Sequence, residues 1–319
     1  MAFVQVPSPE KIGILLNPLA GSNQKICDRL IEALSKVGRI KQVTTPSEVE
    51  SALWELANGG KSWLIVSGGD GTVKMVLTTL FSKGPYPFLP YLCLLPGGTT
   101  NLNSHDVGIK KGQIEAVKRL RTLQKKGFGK NICLRKRNII KVSNHQAFDY
   151  GMFLGGGLVA QGVSFFKKRY GKSRKGTTNG LIFTILKFVW SFWRASFSPQ
   201  RIKLDIDGNR SLDGLVSVFL VSSLESFWGG LQPFWAQGPG ALKMSVFFNR
   251  PKRLLFLLPY VLFGRFHPAM NLENGYFSCR FFQATLKTDE ELALDGELIE
   301  SKDQPFVIEN AGEVIFWTW

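Results

Sequence analysis

Five consecutive residues, Gly68-Gly69-Asp70-Gly71-Thr72, set one carboxylate among three positions without side chains. Glycine admits positive φ and lets a ligand come close to the backbone. The amides of such a turn at the head of a helix converge on an anion, and a phosphate suits that spot. Asp70 changes the chemistry, because a carboxylate repels phosphate unless a divalent cation or a proton in transit stands between them. The same residues also read as a bare strand-to-helix turn, since short glycine motifs recur by chance. Two further loops have related composition, Asn17-Pro18-Leu19-Ala20-Gly21-Ser22 and Pro96-Gly97-Gly98-Thr99-Thr100-Asn101. A fourth group, Asp295-Gly296-Glu297, puts two carboxylates around a glycine, although Asp-Gly alone is a favoured hairpin dipeptide.

The elements that must position these loops follow from hydrophobic spacing. Residues 63–66 form a short apolar run bounded by turn residues, which reads as a buried strand. Val73, Val76, Leu77 and Leu80 follow at helical spacing. Residues 12–16, 40–43 and 91–95 read as further strands. Helices are expected over about 24–37, from a cap at Ser47 to about 57, and over about 113–125. Strand and helix alternate through 11–126, which argues a doubly wound parallel sheet with helices on both faces. Ligands in such sheets bind beyond the carboxyl ends of the strands. All three loops lie at those ends.

After about residue 131 the texture turns to short β-rich runs, at 132–142, 147–154, 201–206, 215–222, 243–248, 276–285 and 307–317. The reading is an α/β nucleotide-binding domain over 1–130 and a mainly antiparallel β-rich domain over 131–319. Within the second domain, residues 181–197 form an apolar helical stretch with a narrow polar stripe of Thr184, Lys187, Ser191 and Arg194. It is too short and too charged to span a bilayer, and it reads as packed on the sheet or lying at a lipid interface. Residues 254–263 are similarly apolar and too short to span, with Pro259 expected to interrupt them.

The 319 residues carry a net charge of +16. Nucleic acid and anionic membrane are the usual partners of such a balance. No helix-turn-helix, zinc-finger or RNP-type signature is evident, which sets nucleic acid aside. Lys167, Lys168, Arg169, Lys172, Arg174 and Lys175 cluster just before the apolar stretch, which favours a membrane surface. Four scattered cysteines lack metal-ligand spacing, and Cys27, Cys93 and Cys133 read as core residues of a reducing compartment. The N-terminus shows no basic segment followed by an apolar run. A cytoplasmic protein, peripherally associated with the inner face of the membrane, is the expectation. A homodimer is compatible with the sequence.

Together these residues resemble the diacylglycerol kinase catalytic-domain family, lipid kinases that include sphingosine kinases and bacterial diacylglycerol kinases. Asn17-Pro18 with Gly21 is similar to the family's first nucleotide loop. Gly68-Gly69-Asp70-Gly71-Thr72 is similar to its signature, and Leu95-Pro96-Gly97-Gly98-Thr99-Thr100-Asn101 to its LPxGTxN loop. Leu294-Asp295-Gly296-Glu297 matches its DGE motif, and Gly229-Gly230 with Pro233 and Ala236 resembles a further second-domain element. The resemblance implies a phosphofructokinase-like α/β domain joined to a β-sandwich-like lipid domain, with the last strands, about 306–319, returning to the first. It implies transfer of the ATP γ-phosphate to a hydroxyl of a membrane lipid, diacylglycerol or a related lipid alcohol. Asn17, Thr44, Gly68, Gly69, Asp70, Gly71, Thr72, Gly98, Thr99 and Asn101 would contact the nucleotide. Asp70 and Asp295 would bear on Mg²⁺, and Glu297 would accept the proton of the attacking hydroxyl.

The chain also departs from the family pattern. Lys74 and Met75 stand where the signature usually continues with Asn and Glu, and Leu102 stands where many members carry an acid. These departures motivate an alternative, a catalytically silent lipid-binding protein of the same fold. An NAD kinase shares the GGDG loop, but its downstream NxGxxGF-type loop is not visible.

Overall fold

The computed structural model describes residues 9–98, 101–107, 112–126, 132–144, 147–170, 198–301 and 304–319. The chain divides into two units, Met1–Arg137 with Glu313–Trp319, and Asn138–Gly312.

In the first unit β1 (Ile12–Leu16), β2 (Arg39–Gln42), β3 (Trp63–Gly68) and β4 (Tyr91–Pro96) pair in parallel in the order β2-β1-β3-β4. The end of the chain lies parallel to β4, with Phe316 opposite Leu92. Every residue of β1 and β3 is buried. That explains their unbroken apolar runs, since a parallel sheet is covered on both faces. On one face α1 (Cys27–Ser35) and α5 (Gln113–Lys126) set Leu30, Leu34, Val117 and Leu120 against Ile12, Ile14, Leu16, Ile65 and Leu95. The other face meets α2 (Pro46–Asn58), whose Leu56 side chain would lie 2.9 Å from a Cβ added to Gly13. Two more helices, α3 (Asp70–Lys83) and α4 (Leu102–Asp106), start at the strand ends.

Two local expectations for this unit are corrected. The cap of α2 is Thr45 rather than Ser47. Its hydroxyl accepts from the Glu48 amide while Glu48 reaches back to the Thr45 amide. Pro46 takes the first helical position, where no N–H is needed. Cys133 is exposed rather than core, because the first four residues of β5 (Cys133–Asn144) all face solvent. Cys93 and Cys279 are buried and Cys27 is half-buried. A fully buried ion pair closes the unit, with Arg137 Nε donating to Asp106 Oδ2 at 2.5 Å.

The second unit is antiparallel. β6 (Ala147–Gly151) pairs with β5. β7 (Phe153–Gly157) precedes α6 (Leu158–Tyr170) and pairs with β9 (Arg210–Ser222), which also pairs with β8 (Gln200–Ile206) and β10 (Leu242–Phe248). Helix α7 (Leu254–Leu262) separates β10 from β11 (Tyr276–Phe281), its antiparallel neighbour. β12 (Gln283–Lys287) follows, then a hairpin of β13 (Leu292–Leu294) and β14 (Glu297–Ile299), then β15 (Phe306–Thr318), which pairs with β12.

Side chains alternate across these strands as a pleat demands. Phe219, Val221, Met244 and Val246 enter one core with Ile202, Leu204 and Leu286. Leu220 and Phe247 point the other way, into a second cluster with Leu257 and Val261 of α7. Pro259 does not interrupt this segment. The helix runs through it, and the Phe263 amide bonds the Pro259 carbonyl. The lost donor falls opposite exposed Leu255, where water can serve the carbonyl.

The 181–197 stretch and residues 171–175 of the basic run lie outside the described residues. Among the described residues, no helix is long and apolar enough to cross a membrane.

Candidate functional site

Three strand ends of the first unit place the glycine loops together. The Asn17 amide donates to the Ser67 carbonyl, the Gly97 amide to Gly68, and the Ser22 amide to Gly97, each at 2.9 Å. The loops after β1, β3 and β4 are therefore laced to one another by their own backbones. Gly69 caps α3 in extended conformation, so the first turn of that helix begins at Asp70. A Cβ on Gly98 would lie 2.6 Å from the Gly69 Cα, and one on Gly97 would lie 2.5 Å from Asn23 Oδ1. The loops touch where a side chain on Gly98 would collide and one on Gly69 would be tight. This is a backbone-walled cradle at the head of a helix, the arrangement that receives phosphate.

Side chains fix the cradle. Asn17 Nδ2 donates to the Thr72 hydroxyl at 2.9 Å, and its Oδ1 accepts from the Leu19 amide at 2.9 Å. Asn101 is left-handed, with φ 53°. It closes a loop on Gly98, accepting from the Gly98 amide at 2.7 Å and donating to its carbonyl at 2.8 Å. The carboxylate of Asp70 accepts the amides of Leu102 and Asn103, both at 3.2 Å, which ties α3 to the start of α4. Burial pushes the Asp70 carboxyl above its ordinary range, and the amides of Asn103, Leu102 and Asn101 offset part of that rise. Gly71 and Thr72 lie in the first turn of α3. Thr44 sits beside α2, where its hydroxyl and amide both donate to Glu48. Thr99 lies outside the described residues.

In the second unit Asp295 and Gly296 are the two central residues of the β13–β14 hairpin, with φ 48° and 82°. Positive φ at both positions is the requirement of the tight turn that joins antiparallel strands. The Asp295 carboxylate turns back and accepts the amides of Met152 and Phe153, at 3.2 and 2.9 Å. A Cβ on Gly151 would lie 2.8 Å from that carboxylate, so the glycine makes room for it. Glu297 opens β14, opposite Leu294, and is half-exposed.

Residues 11–129 match the diacylglycerol kinase catalytic domain. Three solved structures from Bacillus anthracis str. Sterne resemble it, each covering 96% of this chain and 96% of its own. One is a diacylglycerol kinase, at TM-score 0.60 and 16% identity. Two are diacylglycerol kinase candidates, at 0.65 and 18% and at 0.62 and 16%. At these identities the likeness is one of fold, a parallel α/β part followed by an antiparallel β-rich part. No curated protein matches the sequence.

The cradle also uses residues that motif reading does not reach. Asn23 is fully buried, and its Nδ2 donates to the Asn17 carbonyl at 2.7 Å and the Ser67 carbonyl at 3.0 Å. Gln113 donates to the Ser67 hydroxyl at 2.6 Å and accepts from Ser22 at 3.3 Å. These two amides brace the first loop and the end of β3 from behind. Gln113 carries a signal in the sequence, because it falls on the apolar face of α5, three, four and seven residues before Ala116, Val117 and Leu120.

The fit of a divalent ion follows from the donors. Among the described residues, no group of three or more His, Cys, Asp or Glu side chains could hold a metal. Asp70 and Asp295 each accept backbone amides within their own unit. A single carboxylate of this kind fits an ion carried mainly on phosphate oxygens and waters, the usual habit of Mg²⁺.

Proposed function

We propose that this protein is an ATP-dependent lipid kinase whose acceptor is a hydroxyl of a membrane lipid, diacylglycerol or a related lipid alcohol. The observation that carries the reading is the glycine cradle of the first unit, where Gly69 and Gly98 meet with no room for a Cβ on Gly98 and Asn17, Thr72 and Asn101 lock the loops. A triphosphate laid on the first turn of α3 finds converging amides and the positive end of the helix. Asp70 and Asp295 would hold Mg²⁺, which when bound neutralises charge on the transferring phosphoryl group.

The lipid oxygen forms its bond to the γ-phosphorus as the bond to the β-phosphate oxygen breaks, and Glu297 accepts the proton the hydroxyl loses. Phosphoryl transfer passes through a loose transition state, so holding the phosphates still matters more than the strength of the base. The loop lacing serves that need directly.

A second reading, a silent lipid-binding protein, is favoured by Lys74. That lysine is buried in α3 in place of an asparagine of the resembled pattern. The deciding experiment incubates the full chain with γ-labelled ATP, Mg²⁺ and vesicles carrying a panel of lipid alcohols. Labelled lipid supports the kinase. No labelled lipid with vesicle binding intact supports the silent binder, and labelled NADP formed from NAD would assign the fold to a different kinase.

A further inference from the structure

The helix α7 and the turns around it form a surface that the lipid-kinase reading does not itself explain. Eight of the nine residues of α7 are apolar and the ninth is Tyr260, and only Leu257 and Val261 are buried by the protein beneath. Leu255 and Phe256 are each 61% exposed, Phe263 is 53% exposed and Phe266 is 66% exposed. A helix apolar all round belongs in a core or in lipid, and this one has core on one side only. Phe256 lies against Tyr260 and His267, with ring centroids 6.3 and 5.6 Å apart. The patch is thus apolar with polar-tipped rings within it, the composition of a membrane-interface belt.

Charge chooses the occupant. Arg250, Lys252, Arg253 and Arg265 are all exposed around the patch, and Glu273 is the one acid between residues 249 and 275. Three of these cations crowd the N-terminal end of α7, where the helix dipole is already positive. Arg250 and Arg253 are held left-handed, at φ 53° and 56°, a conformation that side-chain-bearing residues rarely adopt. Within the protein this arrangement repels itself, and a second copy would bring like charge to like charge. A layer of anionic headgroups over hydrocarbon satisfies both the cations and the apolar side chains.

We infer that α7, with the segments 250–253 and 263–266, is the face by which this chain docks on an anionic bilayer. The inference deepens the lipid-kinase reading by naming where the enzyme meets its substrate's membrane. Its test does not depend on phosphoryl transfer. The full chain is sedimented, without nucleotide, with vesicles of phosphatidylcholine alone and of phosphatidylcholine with phosphatidylglycerol.

Wild type should bind the anionic vesicles and release them as salt rises. Lys252→Glu/Arg253→Glu should weaken that binding by about fivefold or more per cation and flatten its salt dependence. Leu255→Ser/Phe256→Ser/Phe263→Ser should weaken it by roughly tenfold or more by removing buried apolar area. These side chains face solvent, so thermal unfolding and activity on a short-chain, detergent-dispersed diacylglycerol should stay at wild-type values. Unchanged vesicle affinity in both variants overturns the inference. So does a homodimer that the same substitutions dissociate while vesicle binding persists. Loss of vesicle binding in the variants of a chain that never phosphorylates lipid leaves the docking face standing and removes the kinase reading alone.

Discussion

Replacing Gly98 by alanine adds one methyl group at the point where two loops of the first unit touch. The new Cβ would lie 2.6 Å from the Gly69 Cα and 3.1 Å from Asn101 Oδ1. Ordinary contact begins at 3.4 Å, so the loops must part by about 0.8 Å. Neither neighbour gives easily, because Gly69 caps α3 and Asn101 grips Gly98 with two hydrogen bonds. Gly98 does not hold positive φ, so alanine brings no backbone strain of its own and the contact is tested alone. Overpacking of this kind costs about 1–3 kcal/mol, and a misplacement near 1 Å costs on the order of 10²-fold in rate. Gly69→Ala is the graded control, since its Cβ would stand 3.1 Å from the Gly98 Cα and needs only a few tenths of an ångström. Labelled-lipid formation, nucleotide affinity by calorimetry and thermal unfolding are compared for the three proteins. The expected order of activity is wild type, then Gly69→Ala, then Gly98→Ala. A Gly98→Ala protein with wild-type rate and melting temperature, or one more active than Gly69→Ala, would refute the reasoning.

Three further outcomes follow from the same geometry. Glu297→Gln should lower lipid phosphorylation by about 10²–10⁴-fold while leaving the melting temperature unchanged, because the side chain is half-exposed at a strand start; equal turnover in both proteins would remove Glu297 from the proton's path. Arg137→Met alone should destabilise the first unit by about 3–5 kcal/mol by removing the cation that faces buried Asp106, whereas Asp106→Leu/Arg137→Met should recover most of that loss, as read by urea unfolding; a single variant as stable as the double one would show that the ion pair does not stabilise the unit. Thiol labelling at pH 8 should modify Cys133 first. Cys279 and Cys93 should react only on unfolding, since both are buried and burial pushes the Cys279 thiol up to about 12 and the Cys93 thiol higher still; early modification of either would show that its strand opens in the native state.

What could be read in advance tracks how local the physics is. The parallel unit announces itself because its inner strands β1 and β3 are buried on both faces and so read as unbroken apolar runs, β3 closing in glycine and leading into a helical stripe. The antiparallel unit shows in alternation, as in β8, where every second residue is buried. Three-residue strands such as β13 and β14 have too few positions to show a period, and only Asp295-Gly296 marks them. At that dipeptide the turn and the proposed chemistry are not rivals. One carboxylate sits where both φ values must be positive, and it spends its oxygens pinning the hairpin to Met152 and Phe153. Asn23 and Gln113 were harder to see, because their partners lie 44 and 46 residues away in β3. A polar residue at the head of an apolar helical stripe must meet a buried polar group, and the ends of a parallel sheet are where such groups are left over. The loops that would hold phosphate are thus rigid for the same reason their supports escape a motif search. Their stiffness comes from buried amides reaching across the fold, and no spacing along the chain encodes that reach.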